Sequence, residues 1–235
     1  DDRDAVIVQP LPDATIPEGA CPTIATSPCA EKSSYAFLLL EASGVLSDLT
    51  VVVSETAHAT AVIVIGQATT PSLERLTVTF GPVFEGPPSF DFQGSTRPVL
   101  WDSLISPSWV RTEGIAAPSY YGNTFQQTCL WDVRDGTVVQ GNTITGCLEV
   151  AGSVTISGNV IRSARDTQPA LLVKRGDVTT RIEGNTIADG LAGIQLATGA
   201  TATIVDNDII DNRVGIAWSA TPAEDAPLPE GNRFC

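Results

Sequence analysis

Short runs in which apolar and polar residues alternate recur along this chain, and beyond residue 120 they recur in a fixed order. Cys147-Leu-Glu-Val150, Ala170-Leu-Leu-Val173, Gly193-Ile-Gln-Leu196 and Gly215-Ile-Ala-Trp218 each read as a short strand, because side chains two positions apart share one face of an extended chain. Cys129-Leu-Trp-Asp-Val133 is the same run with one residue more. A turn follows each run, as at Arg134-Asp-Gly136, Ala151-Gly-Ser153, Lys174-Arg-Gly-Asp177 and Ala197-Thr-Gly199, where Gly and Asp supply the backbone angles of a tight corner. A second strand comes next (137–139, 154–156, 179–182, 201–204), then Gly-Asn or its equivalent, then a third strand around Ile144, Ile161, Ile187 or Ile209.

The Asn is the most regular member of the pattern. Val139-Gln-Gly-Asn-Thr-Ile144, Ile156-Ser-Gly-Asn-Val-Ile161, Ile182-Glu-Gly-Asn-Thr-Ile187 and Ile204-Val-Asp-Asn-Asp-Ile209 share one form, with weaker copies at Tyr120-Tyr-Gly-Asn-Thr-Phe125 and Pro229-Glu-Gly-Asn-Arg-Phe234. Asn123, Asn142, Asn159, Asn185, Asn207 and Asn232 are therefore spaced by 19, 17, 26, 22 and 25 residues, a period that belongs to solenoids. Three short strands and three corners per period make one coil of a parallel β-helix, so the fold class is all-β. An amide both donates and accepts, and these six Asn residues are expected to stack as a structural ladder at one corner. Ile144, Ile161, Ile187 and Ile209 should form one inward ladder, and Val139, Ile156, Ile182 and Ile204 another. The competing reading makes each Gly-Asn a hairpin turn of an antiparallel sheet. Hairpins would pair the strands on either side of each turn, whereas here the pattern matches one repeat to the next.

With its G-N-x-I repeat the chain resembles the right-handed parallel β-helix repeat proteins of the pectin-lyase-like superfamily, in the NosD-like and carbohydrate-binding/sugar-hydrolase branch. The resemblance is strong over about residues 120 to 235 and weak over 35 to 120. It implies the fold and leaves activity open, since that scaffold carries lyases, hydrolases, epimerases, adhesins and inert modules.

From Tyr35 the repeat can be followed in degraded form. Ala36-Phe-Leu-Leu-Leu-Glu41 with Leu46 to Val51, Ala61 to Ile65 with Leu73 to Val78, and Phe90 to Gln93 with Val99 to Leu104 have the order strand, corner, strand. Gly114-Ile-Ala116 leads into Tyr120 and the clear series, while Ser33-Ser34 could instead cap a short helix. The count is about nine coils and a rod of roughly 40 to 45 Å, spanning residues 35–235. Residues 1–34, which hold a possible strand at Ala5-Val-Ile-Val8, are the candidate cap for the open first coil. Gly81 to Pro88 and Ala220 to Pro229 are loops thrown out from the coils. The start at Asp1 without Met and the stop at Cys235 in mid-coil lead us to expect a processed beginning, and a continuation or an end-on partner beyond the last coil.

Composition narrows the partners. A net charge of −14 argues against nucleic acid and against an anionic membrane surface, and no run of 18 apolar residues exists to span a bilayer. Of the five cysteines, Cys21 and Cys29 bracket a Pro-rich loop, and Cys129 and Cys147 occupy equivalent places in consecutive repeats. Stacked coils lie about 4.8 Å apart, within disulfide reach, so both pairs are expected to be bridged, with Cys235 left over. Reduced, buried Cys129 and Cys147 are the alternative. Two bridges would place the protein outside the cytoplasm, secreted or on the extracellular or periplasmic side of an envelope.

Candidate chemistry gathers at the corner after the first strand, where Asp132, Arg134 and Asp135 are followed two coils later by Lys174, Arg175 and Asp177, with Glu149 between. A polysaccharide lyase or glycoside hydrolase would need such a set in a groove, with Ca²⁺ for the lyase; the ordinary reading is a solvated turn with incidental ion pairs. Arg162, Arg165 and Asp166 lie in the longest of these repeats, where a loop at Ser163 to Pro169 is expected. Asp206, Asp208 and Asp211 are dense enough to suggest a cation, yet are more simply polar corner residues, and no metal or other cofactor is predicted. His58 is the sole histidine, in a loop, so no His-based metal cluster or Ser-His-Asp triad can form without it. The D-P-H-D signature of alginate epimerases and the G-H-G and paired-Asp signatures of polygalacturonases are absent. Trp109, Tyr121 and Trp131 are the candidate aromatic platform for a sugar. The sequence thus favours a non-catalytic module binding an extended glycan or protein, within a larger surface or receptor protein. Enzymatic cleavage is the second reading. An ice-binding face is a third, weakened by the irregularity of Thr77/Thr79 and Thr201/Thr203.

Overall fold

The computed structural model describes residues 7–8, 34–40, 43–53, 59–80, 88–174, 179–220 and 229–235. All the strand pairings among them are parallel and join one coil to the next, so the Gly-Asn pairs are corners of a β-helix and not hairpin turns. Each coil crosses three faces. A side sheet of eight strands runs from Val45–Ser47 up to Thr201–Val205. A sheet of 17 strands bends into a back face, from Thr50–Val53 to Asp208–Ile210, and a front face, from Ser34–Leu40 to Val214–Trp218. Thr124–Arg134 and Thr143–Ala151 run unbroken round the corner between those two faces.

The two expected ladders stand in register. Phe125, Ile144, Ile161, Ile187 and Ile209 stack on the back face, and Tyr120, Val139, Ile156, Ile182 and Ile204 on the side face. All are buried in a single core, and each large apolar side chain removed from water contributes about 1.5–3 kcal/mol. Alternation does the rest, since a strand whose even positions face the core must turn its odd positions outward.

The corner between side and back faces is the most regular part of the molecule. Asn123 Nδ2 donates to Asn142 Oδ1 at 3.0 Å, Asn142 to Asn159 at 3.0 Å, Asn159 to Asn185 at 2.9 Å, Asn185 to Asn207 at 2.9 Å and Asn207 to Asn232 at 3.0 Å. Each carbonyl oxygen also accepts the backbone N–H of the Asn below, so buried amides find partners along the whole column. The left-handed residue is the one before the Asn: Gly122, Gly141, Gly158, Gly184 and Gly231 have φ of 61–67°, and Asp206 takes φ 53°. That conformation is why Gly accompanies Asn, since a Cβ there is strained.

The same column continues downward without Asn. Ser103 N donates to Asn123 Oδ1 at 2.9 Å, and Leu76 N donates to Ser103 Oγ at 3.0 Å. Asp48, Arg75 and Asp102 hold the left-handed place with φ of 57°, 51° and 44°. The early coils obey the same geometry with residues that do not announce it.

Three expectations are corrected or refined. The front strand of the fourth full layer is Ser108–Thr112, whereas Gly114-Ile-Ala116 forms the corner, because Gly114 has φ 70° and turns the chain. Ser34–Leu40 is a strand and not a helix, its alternation satisfied by parallel pairing with Ala59–Gly66. Ile7–Val8 pairs in parallel with Thr50 and Val51, which adds a strand beneath the back face. The rest of 1–33, including Cys21 and Cys29, and most of the 81–88 and 220–229 loops lie outside the described residues, as do His58, Arg175 and Asp177.

Candidate functional site

The outer surface of the front face gathers the chemistry. Leu130 points into the core and Trp131 out, as alternation requires, and the extra residue of Cys129-Leu-Trp-Asp-Val133 is a bulge: the register with Thr143–Ala151 slips between Leu130 and Val133. Asp132 takes φ 59° to accommodate it, and both Trp131 and Asp132 come to the surface opposite one strand position.

Trp131 packs against Trp109 of the coil below, ring centroids 5.1 Å apart and the planes tilted by 35°, and Arg111 lies 6.0 Å from the Trp109 ring. Beside them Cys129 and Cys147, paired directly across the coils, form a disulfide with Cα atoms 4.5 Å apart. Trp131 Nε1 donates to Cys147 Sγ at 3.2 Å, which fixes the indole plane. Above this floor the longest of the Asn-spaced coils throws out residues 163–169. Ala164 N is tied to Gly146 O at 3.1 Å, Gln168 N to Arg165 O at 3.1 Å and Leu191 N to Gln168 O at 2.9 Å. Floor and loop enclose an open hollow of about 570 Å³ whose walls include Trp109, Trp131, Glu149, Arg165, Gln168 and Leu172. Its size is ordinary for a small-ligand site.

Tyr121 is not part of this platform. It stands on the side sheet, stacked on Trp101 with centroids 4.4 Å apart, with the Gly122-Asn123 corner and the back-face part of Thr124–Arg134 between it and Trp131. Thr77 and Thr79 lie on the back face and Thr201 and Thr203 on the side face, so they share no plane. Trp218 ends the inward column above Leu196 and is exposed in the last layer.

Charged residues run up the front face in alternating sign. Asp91, though buried, is held by Arg111 Nε at 3.0 Å and by Gln93 at 2.7 Å, and Arg111 also reaches Glu113 at 3.3 Å. Arg134 pairs with Asp132 and donates to Gly114 O at 2.6 Å, while Lys174 bridges Asp132, at 3.4 Å, and Glu149. Burial alone would raise the Asp132 carboxyl, but Arg134 and Lys174 outweigh it and hold it below the usual carboxylate range. Burial likewise opposes the Lys174 charge, and Glu149 with Asp132 overcomes it to hold the ammonium above the usual lysine range. For Glu113 burial wins over Arg111 and pushes the carboxyl up. Asp135 accepts from Ser153 N and lines a second hollow of about 520 Å³ with Arg97, Asp132 and Arg134.

Three other charged candidates are paired elsewhere. Arg162 pairs with Asp189 at 2.7 Å, Asp166 with Arg213 at 3.0 Å and Asp208 with Arg233 at 2.7 Å. No group of three or more His, Cys, Asp or Glu among the described residues is placed to hold a metal ion. Asp132 and Glu149 already balance Arg134 and Lys174, so they do not fit the Ca²⁺ that a lyase would carry. Cys235 is free and exposed, and no described helix is long and apolar enough to cross a membrane.

What sequence reasoning missed is the partnership of the disulfide, the bulge and the 163–169 loop around one hollow. Equal spacing of Cys129 and Cys147 and the long interval to Asn185 were the available signals.

Fold and site together define a parallel β-helix with an aromatic-floored groove on one face. Residues 58–224 match the family model described as the right handed beta helix region, and the chain belongs to that family. Among solved structures it is similar to a double mutant of the periplasmic alginate epimerase AlgG, with 13% identity and a TM-score of 0.54. That match covers 80% of this chain and 63% of the epimerase chain, so the sequence spans less than two thirds of its length. A second AlgG mutant matches over the same shares with 11% identity and a TM-score of 0.47. No curated protein sequence matches the chain.

Proposed function

We propose that this β-helix is an extracytoplasmic module that binds an extended glycan on its front face without cleaving it. The observation that carries the reading is the Trp109–Trp131 pair flooring a preformed open hollow walled in part by the 163–169 loop. Aromatic faces bury the C–H faces of sugar rings, and a loop tied by its own hydrogen bonds needs little ordering on binding. The Cys129–Cys147 disulfide supports an oxidising compartment. A protein partner seated on the same face remains the alternative occupant.

Enzymatic cleavage is the second reading, favoured by the meeting of Asp132, Arg134, Glu149 and Lys174. Against it, Lys174 is held protonated by its two carboxylates, so it is no base at neutral pH. Retention and cleavage of acidic and neutral polysaccharides, with and without Ca²⁺, distinguish the two. Retention lost in Trp131→Ala with no product formed is the expected result; cleavage abolished by Lys174→Ala overturns the non-catalytic reading.

A further inference from the structure

We infer that the hollow takes an uncharged glycan, a chain of neutral sugars, and discriminates against polyuronates; this rests on the glycan reading above. The argument is one of charge balance. The walls carry one carboxylate and one guanidinium, Glu149 and Arg165. The neighbouring corner hollow carries Arg97 and Arg134 against Asp132 and Asp135. Lys174 is shared between Asp132 and Glu149, and Arg111 between Asp91 and Glu113. Among the described residues the front face therefore offers no surplus of positive charge, on a chain whose net charge is −14.

A polyuronate brings one negative charge per sugar. Carboxylate sites are built from guanidinium or ammonium groups in excess, because a charge moved out of water must be paired. Here a ligand charge seated on Arg111, Arg134 or Lys174 would have to displace a carboxylate from an existing ion pair, and the field of the whole chain would slow its approach. An uncharged sugar meets neither cost. It needs an apolar face for its ring carbons, which the Trp floor, Leu172 and Pro169 supply, and mixed donors and acceptors for its hydroxyls, which Gln168, Glu149 and Arg165 supply.

The test is calorimetric titration of the whole chain with neutral hexasaccharides built on glucose, mannose or xylose and with hexauronates of galacturonate or mannuronate. Expected is binding of a neutral probe that changes less than about twofold between about 20 and 200 mM salt, because no ion pair is formed across the interface. That binding falls at least about tenfold in Trp131→Ala, as truncating a central aromatic anchor does, and is largely kept by Trp131→Phe, the two variants melting as the wild type does. Glu149→Gln, which removes one carboxylate while keeping the shape, should raise hexauronate affinity several-fold. Trp131-dependent binding of a hexauronate tighter than of every neutral probe, weakening with salt, overturns the inference and leaves the glycan reading standing. Absence of any saccharide binding sensitive to Trp131→Ala overturns the glycan reading itself.

Discussion

The side-chain amide of Asn142 donates to that of Asn159 at 3.0 Å across 17 residues, and Asn159 repeats the contact to Asn185 at 2.9 Å across 26. A hydrogen bond blind to the length of chain between its partners makes this corner the fixed edge of the helix. Asn159→Ala would leave the Asn142 N–H without its acceptor and the Val139 carbonyl without the Asn159 amide, both in a buried place, while Asn142 Nδ2 keeps the Tyr120 and Gln140 carbonyls. A cost of about 3 kcal/mol is expected in denaturant unfolding. Asn232→Ala, at the half-buried last step, should cost about 1 kcal/mol.

Two glycines should respond differently to the same methyl group. A Cβ on Gly184 meets nothing within 4 Å, so Gly184→Ala suffers only from its φ of 61°, about 1 kcal/mol. A Cβ on Gly146 would sit 2.0 Å from the Thr128 carbonyl oxygen, backbone against backbone at the back-to-front corner. Gly146→Ala must spread two coils and should lower the unfolding midpoint by much more than Gly184→Ala.

Reducing the Cys129–Cys147 bridge reopens a loop of 18 residues in the unfolded chain, with an expected loss of about 3 kcal/mol. Because Trp131 Nε1 touches Cys147 Sγ, reduction should also raise tryptophan emission, and Trp131→Phe should abolish most of that rise. Unchanged fluorescence on full reduction would contradict the contact.

Stability should depend on pH through the Asp132–Lys174 pair. The folded Asp132 carboxyl is held below its unfolded range, so its contribution is present above that range and disappears as pH falls through the folded value. Lys174 is held above its unfolded range; its contribution is complete below that range and disappears as pH rises through the folded value. Asp132→Asn should therefore destabilise at neutral pH and converge with the wild type in acid. The Lys174 side chain is 39% exposed and that of Asp132 31%, so the effect will be modest and will shrink with salt.

Much of this architecture was legible in the chain. Asn spacing and alternation placed the ladders at Ile144, Ile161, Ile187 and Ile209 in the register they occupy, because each repeat carries its own corner chemistry. The extra residue of Cys129-Leu-Trp-Asp-Val133 was visible in the sequence, but that it forms a bulge was not. Reading failed where one geometry is served by unlike residues. Leu76 and Ser103 stand in the Asn column, and Arg75 takes a conformation that Gly usually marks. The strand at Ser108–Thr112 was hidden behind Pro107, with Gly114 drawing attention to the corner instead. For the site, parity put Trp131 outside, but no local pattern says that Trp109 lies one coil below it while Tyr121 lies on another face. That depends on where each corner falls between them.

Between the side and back faces every turn is two residues long, from Asp48-Leu49 to Asp206-Asn207, while the coils it joins vary from 17 to 27 residues. All variation in length is thus expelled toward the two margins of the front face. Such a hinge-like spine lets a lineage lengthen or trim the walls of its groove, and so change what the groove admits, without disturbing how one layer sits on the next.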